Sequence, residues 1–123
     1  MFTDIHNCCM LLGTADDILI LCHKSPDGDT IGAAYGLYHA LTQLGRRAAV
    51  RCSDPLPEKF AYIHGGIEMP EFEPQLIIAV DIAGPGLLGP ALEQYADRVD
   101  LCIDHHVSNS DYAGLTLLDA QAA

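Results

Sequence analysis

The chain has 123 residues, half of them hydrophobic, which is enough to fold around one core as a single domain and short for a two-lobed enzyme. Its formal net charge of −11 argues against a broad basic face that grips long nucleic acid, while a small anionic ligand held through metal ions stays compatible. The five cysteines are odd in number and show no CxxC spacing, which fits small hydrophobes in a reduced, cytoplasmic setting, and no stretch reads as a signal peptide or membrane span.

In chain order, Thr3 to Leu12 is predicted helical, with Thr3 or Asp4 as cap, Ile5, Cys8, Cys9 and Leu12 at helical spacing, and Gly13 as the stop. It reads as a packing helix, with His6 on the surface. Ile18 to Cys22 is apolar at every position, as a strand covered on both faces should be. From Thr30 to Leu44 the positions Ile31, Ala34, Leu37, Tyr38, Leu41 and Leu44 recur every three or four residues, and Gly45 follows where a helix would end. A second strand, Ala48 to Cys52, is closed by Asp54-Pro55-Leu56-Pro57. Glu58 to Ile63 reads as a short helix before the Gly65-Gly66 turn, with His64 a lesser ligand candidate, and Glu68 to Pro74 as a connecting loop. Leu76 to Val80 is a third apolar strand. Pro90 to Ala96 is a helix with Pro in its first turn, and Val99 to Ile103 a fourth strand. The expected fold class is α/β, a parallel sheet with helices on both faces in three layers.

The chemistry concentrates at strand ends. After the first strand come His23, Asp27 and Asp29, with Gly28 between the carboxylates; the third strand runs into Asp81 and the fourth into Asp104-His105-His106. Crowded carboxylates repel and are costly to bury, and a divalent cation removes that cost. Oxygen ligands with imidazole suit Mn²⁺ or Mg²⁺ better than a thiolate-preferring metal. Taken alone, Asp27 and Asp29 are equally readable as turn and cap residues and His23 as a solvated histidine. In open parallel sheets, however, ligands bind beyond the carboxyl ends of the strands, so three such ends can converge on one site. The helix starting in the first loop also points its N-terminal amides where a phosphate could lie, although no GxxxxGK pattern is present.

The order His-x-x-Pro-Asp-Gly-Asp, a strand-end Asp, then Asp-His-His resembles the DHH phosphoesterases, with motifs running from His23 to His106. The stretch Ile103 to Asn109, with Tyr112-Ala113-Gly114, is most similar to the branch of nanoRNases and 3',5'-bisphosphate nucleotidases. The resemblance implies an N-terminal DHH-type domain and a two-metal phosphoesterase acting on short oligonucleotides or 3',5'-bisphosphate nucleotides. It implies that His23, Asp27 and Asp81 hold one Mn²⁺, that Asp29, Asp81 and His105 hold the other, and that Asp81 bridges them. It also implies that His106 faces the substrate phosphate while Asp104 orients the histidine pair without binding metal.

Two departures stand out. Ala33 occupies a position where the family often has Ser after the Ile-Gly pair. The family also carries a later metal-binding Asp and a C-terminal substrate-binding lobe. No residue can be assigned to that Asp, and the tail Asp119 to Ala123 reads as the start of a next helix, so the expectation is a DHH-type domain over 1–123 incomplete at its C-terminus and weak or inactive alone. A pyrophosphatase or polyphosphatase of the same superfamily, and a non-catalytic metal- or nucleotide-binding remnant, are the competing readings.

Overall fold

The computed structural model describes residues 1–121. Five parallel strands form one sheet: β1 Ile18–Leu21, β2 Ala48–Arg51, β3 Leu76–Val80, β4 Leu101–Asp104 and β5 Leu115–Leu118, in the order β2-β1-β3-β4-β5. β1 and β3 are buried at every position because both faces of the sheet are covered. Alternation decides the face. Leu76, Ile78 and Val80 pack on the side of α1 (Ile5–Thr14), α2 (Gly28–Gln43) and α3 (Ala61–His64), whereas Ile77 and Ala79 face Leu88, Leu92 and Val99. The second face is covered by the 3-10 helices Pro85–Leu87 and Pro90–Tyr95 and the loops around them.

The predicted elements are present with shifted edges. α1 is capped by Asp4, whose carboxylate accepts from the Asn7 N–H at 2.9 Å, and it runs through Gly13 to Thr14. It docks through Cys8, with Leu11 and Leu12 beside it, and leaves Ile5 and Met10 exposed. α2 begins at Gly28, two residues before the predicted start, because Asp27 serves as its cap; the left-handed Gly45, with φ of 80°, ends it. The segment predicted as a helix at Pro90 is a 3-10 helix, a geometry suited to so short a piece.

One element lies outside the sequence-based prediction. Leu115–Leu118, where no element was predicted, pairs with β4 in register Leu101↔Leu115 to Asp104↔Leu118. Of the tail read as the start of a next helix, Ala120 and Gln121 form a turn after Asp119, and residues 122 and 123 lie outside the described residues. The outer edge of β5 is covered by the N-terminal segment, since the Thr3 N–H donates to the Thr116 carbonyl and the Thr116 N–H to the Met1 carbonyl, both at 2.8 Å.

This strand order positions the site. β1 pairs with β2 on one side and β3 on the other, so the chain leaves β1 outward and returns across it, and the crevice at that reversal lies beyond the ends of β1 and β3. His23 and Asp81 follow those two ends. Ile78 sits at the centre of β3 with no exposed surface, so Ile78→Ala is expected to lower stability by about 2–5 kcal/mol, read from the shift of the urea unfolding midpoint.

Candidate metal centre

The end of β3 sets the centre of the site. Asp81 takes the left-handed conformation, with φ of 61°, which costs little for Asp because its short polar side chain is tolerated there. The turn is pinned on both sides. The Asp81 N–H donates to the Ile103 carbonyl of β4 at 2.8 Å, and the Ile82 carbonyl accepts from the Tyr112 hydroxyl at 2.9 Å and the Cys102 thiol at 3.4 Å. The Asp81 carboxylate is thereby aimed at the residues that follow β4.

Those residues close around it. Asp81, Asp104, His105 and His106 each place one potential ligand atom within 4.8 Å of the others. His105 Nε2 is 2.7 Å from Asp81 Oδ1, and His106 Nδ1 is 3.8 Å from the same oxygen and 2.6 Å from Asp104 Oδ1. Asp104 is the organiser of this group. It also accepts the His105 backbone N–H on Oδ1 at 2.8 Å and the Asn109 side-chain amide on Oδ2 at 2.9 Å. An ionised carboxylate only accepts, so His106 donates to it through Nδ1–H.

Of the loop after β1, Asp29 lines the same cleft of about 410 Å³ as Asp81 and His105, whose remaining wall includes Gly32, Ala33, Ile103 and Leu117. Asp27 lies apart from the four-residue cluster, spending one oxygen on the Thr30 N–H at 3.0 Å, yet its charge reaches Asp81. The half-buried His23 is also outside the cluster, with Nδ1 against the carbonyl of Lys24. His64 is elsewhere, with Nε2 on the Pro57 carbonyl, and has no part in the site.

Several residues of the site were invisible as such in the sequence. Thr30 and Asn109 act through hydrogen bonds to backbone and carboxylate, and Asp54 clamps the ligand loop by accepting the N–H of the left-handed Ser25 at 2.6 Å. Asp119 reaches the cleft at the end of β5, its N–H on the Asp104 carbonyl at 3.1 Å. Three leucines around Thr116, from Leu115 to Leu118, ahead of an acidic residue resemble the pattern of β3 and Asp81, which is the signal that could have found it.

The donor set suits a hard divalent cation: carboxylate oxygens with imidazole nitrogens and no thiolate, since burial pushes the neighbouring Cys22 thiol up to about 12. The electrostatics agree. Burial pushes the Asp81 carboxyl above its ordinary range, more than the His105 hydrogen bond restores, which is the cost a bound cation would cancel. Burial also pushes Asp104 upward, but the bonds from Asn109, His106 and the His105 N–H together carry it below the usual carboxylate value. An Asp with a raised folded value favours folding at acid pH and loses that contribution as the pH climbs through the raised value. Asp81→Asn, which tolerates the same backbone conformation, is therefore expected to melt at a higher temperature than the parent at pH 7 without metal. The gap should close toward pH 3, as read by thermal melts with a chelator present.

Comparison with known proteins bears on the same residues. The chain is 32% identical over 112 residues to the bifunctional oligoribonuclease and PAP phosphatase NrnA of Thermus thermophilus, an alignment that covers 86% of this chain and 33% of that protein. The chain thus spans about a third of that relative's length. Its fold matches the crystal structure of an exopolyphosphatase-related protein from Bacteroides fragilis with a TM-score of 0.83, over 96% of this chain and 39% of that one; at 22% identity this likeness concerns the fold alone. The DHH family N-terminal domain matches residues 17–121, from the start of β1 past the end of β5, and by that match the chain belongs to the DHH family.

Proposed function

We propose that this chain carries the metal-dependent centre of a phosphoesterase that hydrolyses short oligonucleotides or 3',5'-bisphosphate nucleotides. The observation that carries the reading is the convergence of the buried Asp81 with His105, His106 and Asp104 across two strand ends beside the β1–β3 crevice. Family membership supports a metal-dependent phosphoesterase, and the likeness to the oligoribonuclease and PAP phosphatase of Thermus thermophilus supports the substrate class. Short substrates also suit a chain with six Lys and Arg against seventeen Asp and Glu, since long nucleic acid is held chiefly through phosphate contacts to cations.

In this reading His23, Asp27 and Asp81 would hold one Mn²⁺ and Asp29, Asp81 and His105 the other. Divalent ions held there would supply an acidified water as nucleophile and charge stabilisation for the phosphoryl oxygens, chemistry that Mn²⁺ or Mg²⁺ can both offer. The protein's own part is orientation. Asp104 fixes the His106 ring through Nδ1, so that Nε2 faces the substrate phosphate, and Asn109 keeps Asp104 from turning away. The apolar wall of Gly32, Ala33, Ile103 and Leu117 limits water on one side of the cleft. The products are 5'-mononucleotides, or a nucleoside monophosphate and inorganic phosphate. The cytoplasm is the proposed setting: the five cysteines are free thiols, and no helix among the described residues is long and apolar enough to cross a membrane.

Calorimetric titration with Mn²⁺ is expected to give saturable binding that Asp81→Ala abolishes; binding unaffected by the substitution would refute the centre. With Mn²⁺ bound, the chain is expected to show at most weak cleavage, releasing mononucleotide from a dinucleotide or phosphate from adenosine 3',5'-bisphosphate. Cleavage of pyrophosphate or polyphosphate alone would move the assignment to that substrate class.

A further inference from the structure

Thr30 has no chemistry to offer a substrate, being fully buried in the first turn of α2. Its hydroxyl nevertheless occupies a singular place. The parallel ladder between β1 and β3 runs from Ile18↔Leu76 to Leu21↔Ala79 and stops one residue short of Val80. Beyond that point the His23 N–H and the Val80 carbonyl do not bond each other directly. Thr30 Oγ1 is interposed, accepting from the His23 N–H at 3.2 Å and donating to the Val80 carbonyl at 3.1 Å. The Thr30 N–H meanwhile donates to the Asp27 carboxylate at 3.0 Å. One residue therefore touches the backbone of His23, the backbone immediately before Asp81, and the side chain of Asp27. A hydroxyl has one hydrogen to give and lone pairs to accept, so it can relay such a bond where a methyl group cannot.

We propose that Thr30 is a positioning residue: its hydroxyl sets the separation of the β1 and β3 ends, and with it the reach between His23, Asp27 and Asp81. This rests on the assignment of those three residues to one metal ion. Without the hydroxyl, the two backbone groups either close on each other or stand unpaired in the interior, and both outcomes displace the residues that follow. Helix α2 is then more than a cover for the sheet. Its first turn is the spacer that holds the crevice open.

The test is Mn²⁺ affinity by calorimetry, beside the melting temperature of the metal-free protein, for the parent, Thr30→Val, Thr30→Ala, Thr30→Ser and Asp81→Ala. Thr30→Val keeps the branched shape and loses the hydroxyl, and is expected to bind Mn²⁺ about 10- to 100-fold more weakly, as removal of groups that support metal ligands does elsewhere. Thr30→Ser keeps the hydroxyl and is expected to bind within about threefold of the parent, far from this supporting-residue penalty. Should Thr30→Val not fold, the Thr30→Ala and Thr30→Ser pair, which differ only in the hydroxyl, carries the same comparison. Parental affinity in Thr30→Val, or Thr30→Ser as weak as Thr30→Ala, overturns the role of the hydroxyl while leaving the metal centre standing. Absence of Mn²⁺ binding by the parent overturns the metal assignment and this inference with it.

Discussion

A carboxylate kept out of water at the end of a buried strand is the constraint around which this molecule is arranged. Asp81 is about nine-tenths buried, in a left-handed turn, and burial pushes its carboxyl above the ordinary range. Such a group costs folding energy unless a cation or a set of donors faces it. Every neighbouring element answers to that need. β4 supplies His105 and the carbonyl that fixes the Asp81 N–H, the loop after it supplies Tyr112 to hold Ile82, and α2 begins with two carboxylates beside the same crevice.

Asp81 and Asp104 show how environment divides labour between like groups. Both are buried acids at the ends of adjacent parallel strands. Asp104 has three hydrogen-bond donors turned on it and is held well ionised, so its lone pairs are committed to orienting the histidines. Asp81 has less support and more unmet demand. A carboxylate whose partners are satisfied is a structural anchor, whereas one whose charge is poorly compensated is where a cation gains most. At Asp81 the metal-free fold carries a cost that a bound cation would cancel.

The fold itself depends on ordinary terms. Continuous apolar runs at β1 and β3 are covered on both faces, by α-helices on one side and by 3-10 helices and loops on the other. The strand order places the reversal of the chain at β1 and β3, and an open parallel sheet has its crevice there whatever the chemistry installed in it. Residues just beyond β1, β3 and β5 and at the end of β4 then converge on one cleft.

From the sequence alone followed the parallel α/β class, four of the five strands, the helices, and the acidic and histidine residues stationed at strand ends. These are local properties: an uninterrupted apolar run, a helical period and a polar cluster can be read without knowing what they touch. β5 was not readable in this way, because three leucines and a threonine become a strand only through pairing with β4. Nor was the left-handed turn at Asp81, the commitment of Asp104 to Asn109 and His106, the clamp of Asp54 on Ser25, or the hydroxyl of Thr30 between two strands. Each joins groups whose partnership depends on backbone geometry or on residues as much as fifty positions apart, as from Thr30 to Val80. Sequence determined which chemical groups were available at the strand ends; only the packed tertiary structure decided which of them meet, because strand pairing and burial bring distant groups together and set which must be satisfied.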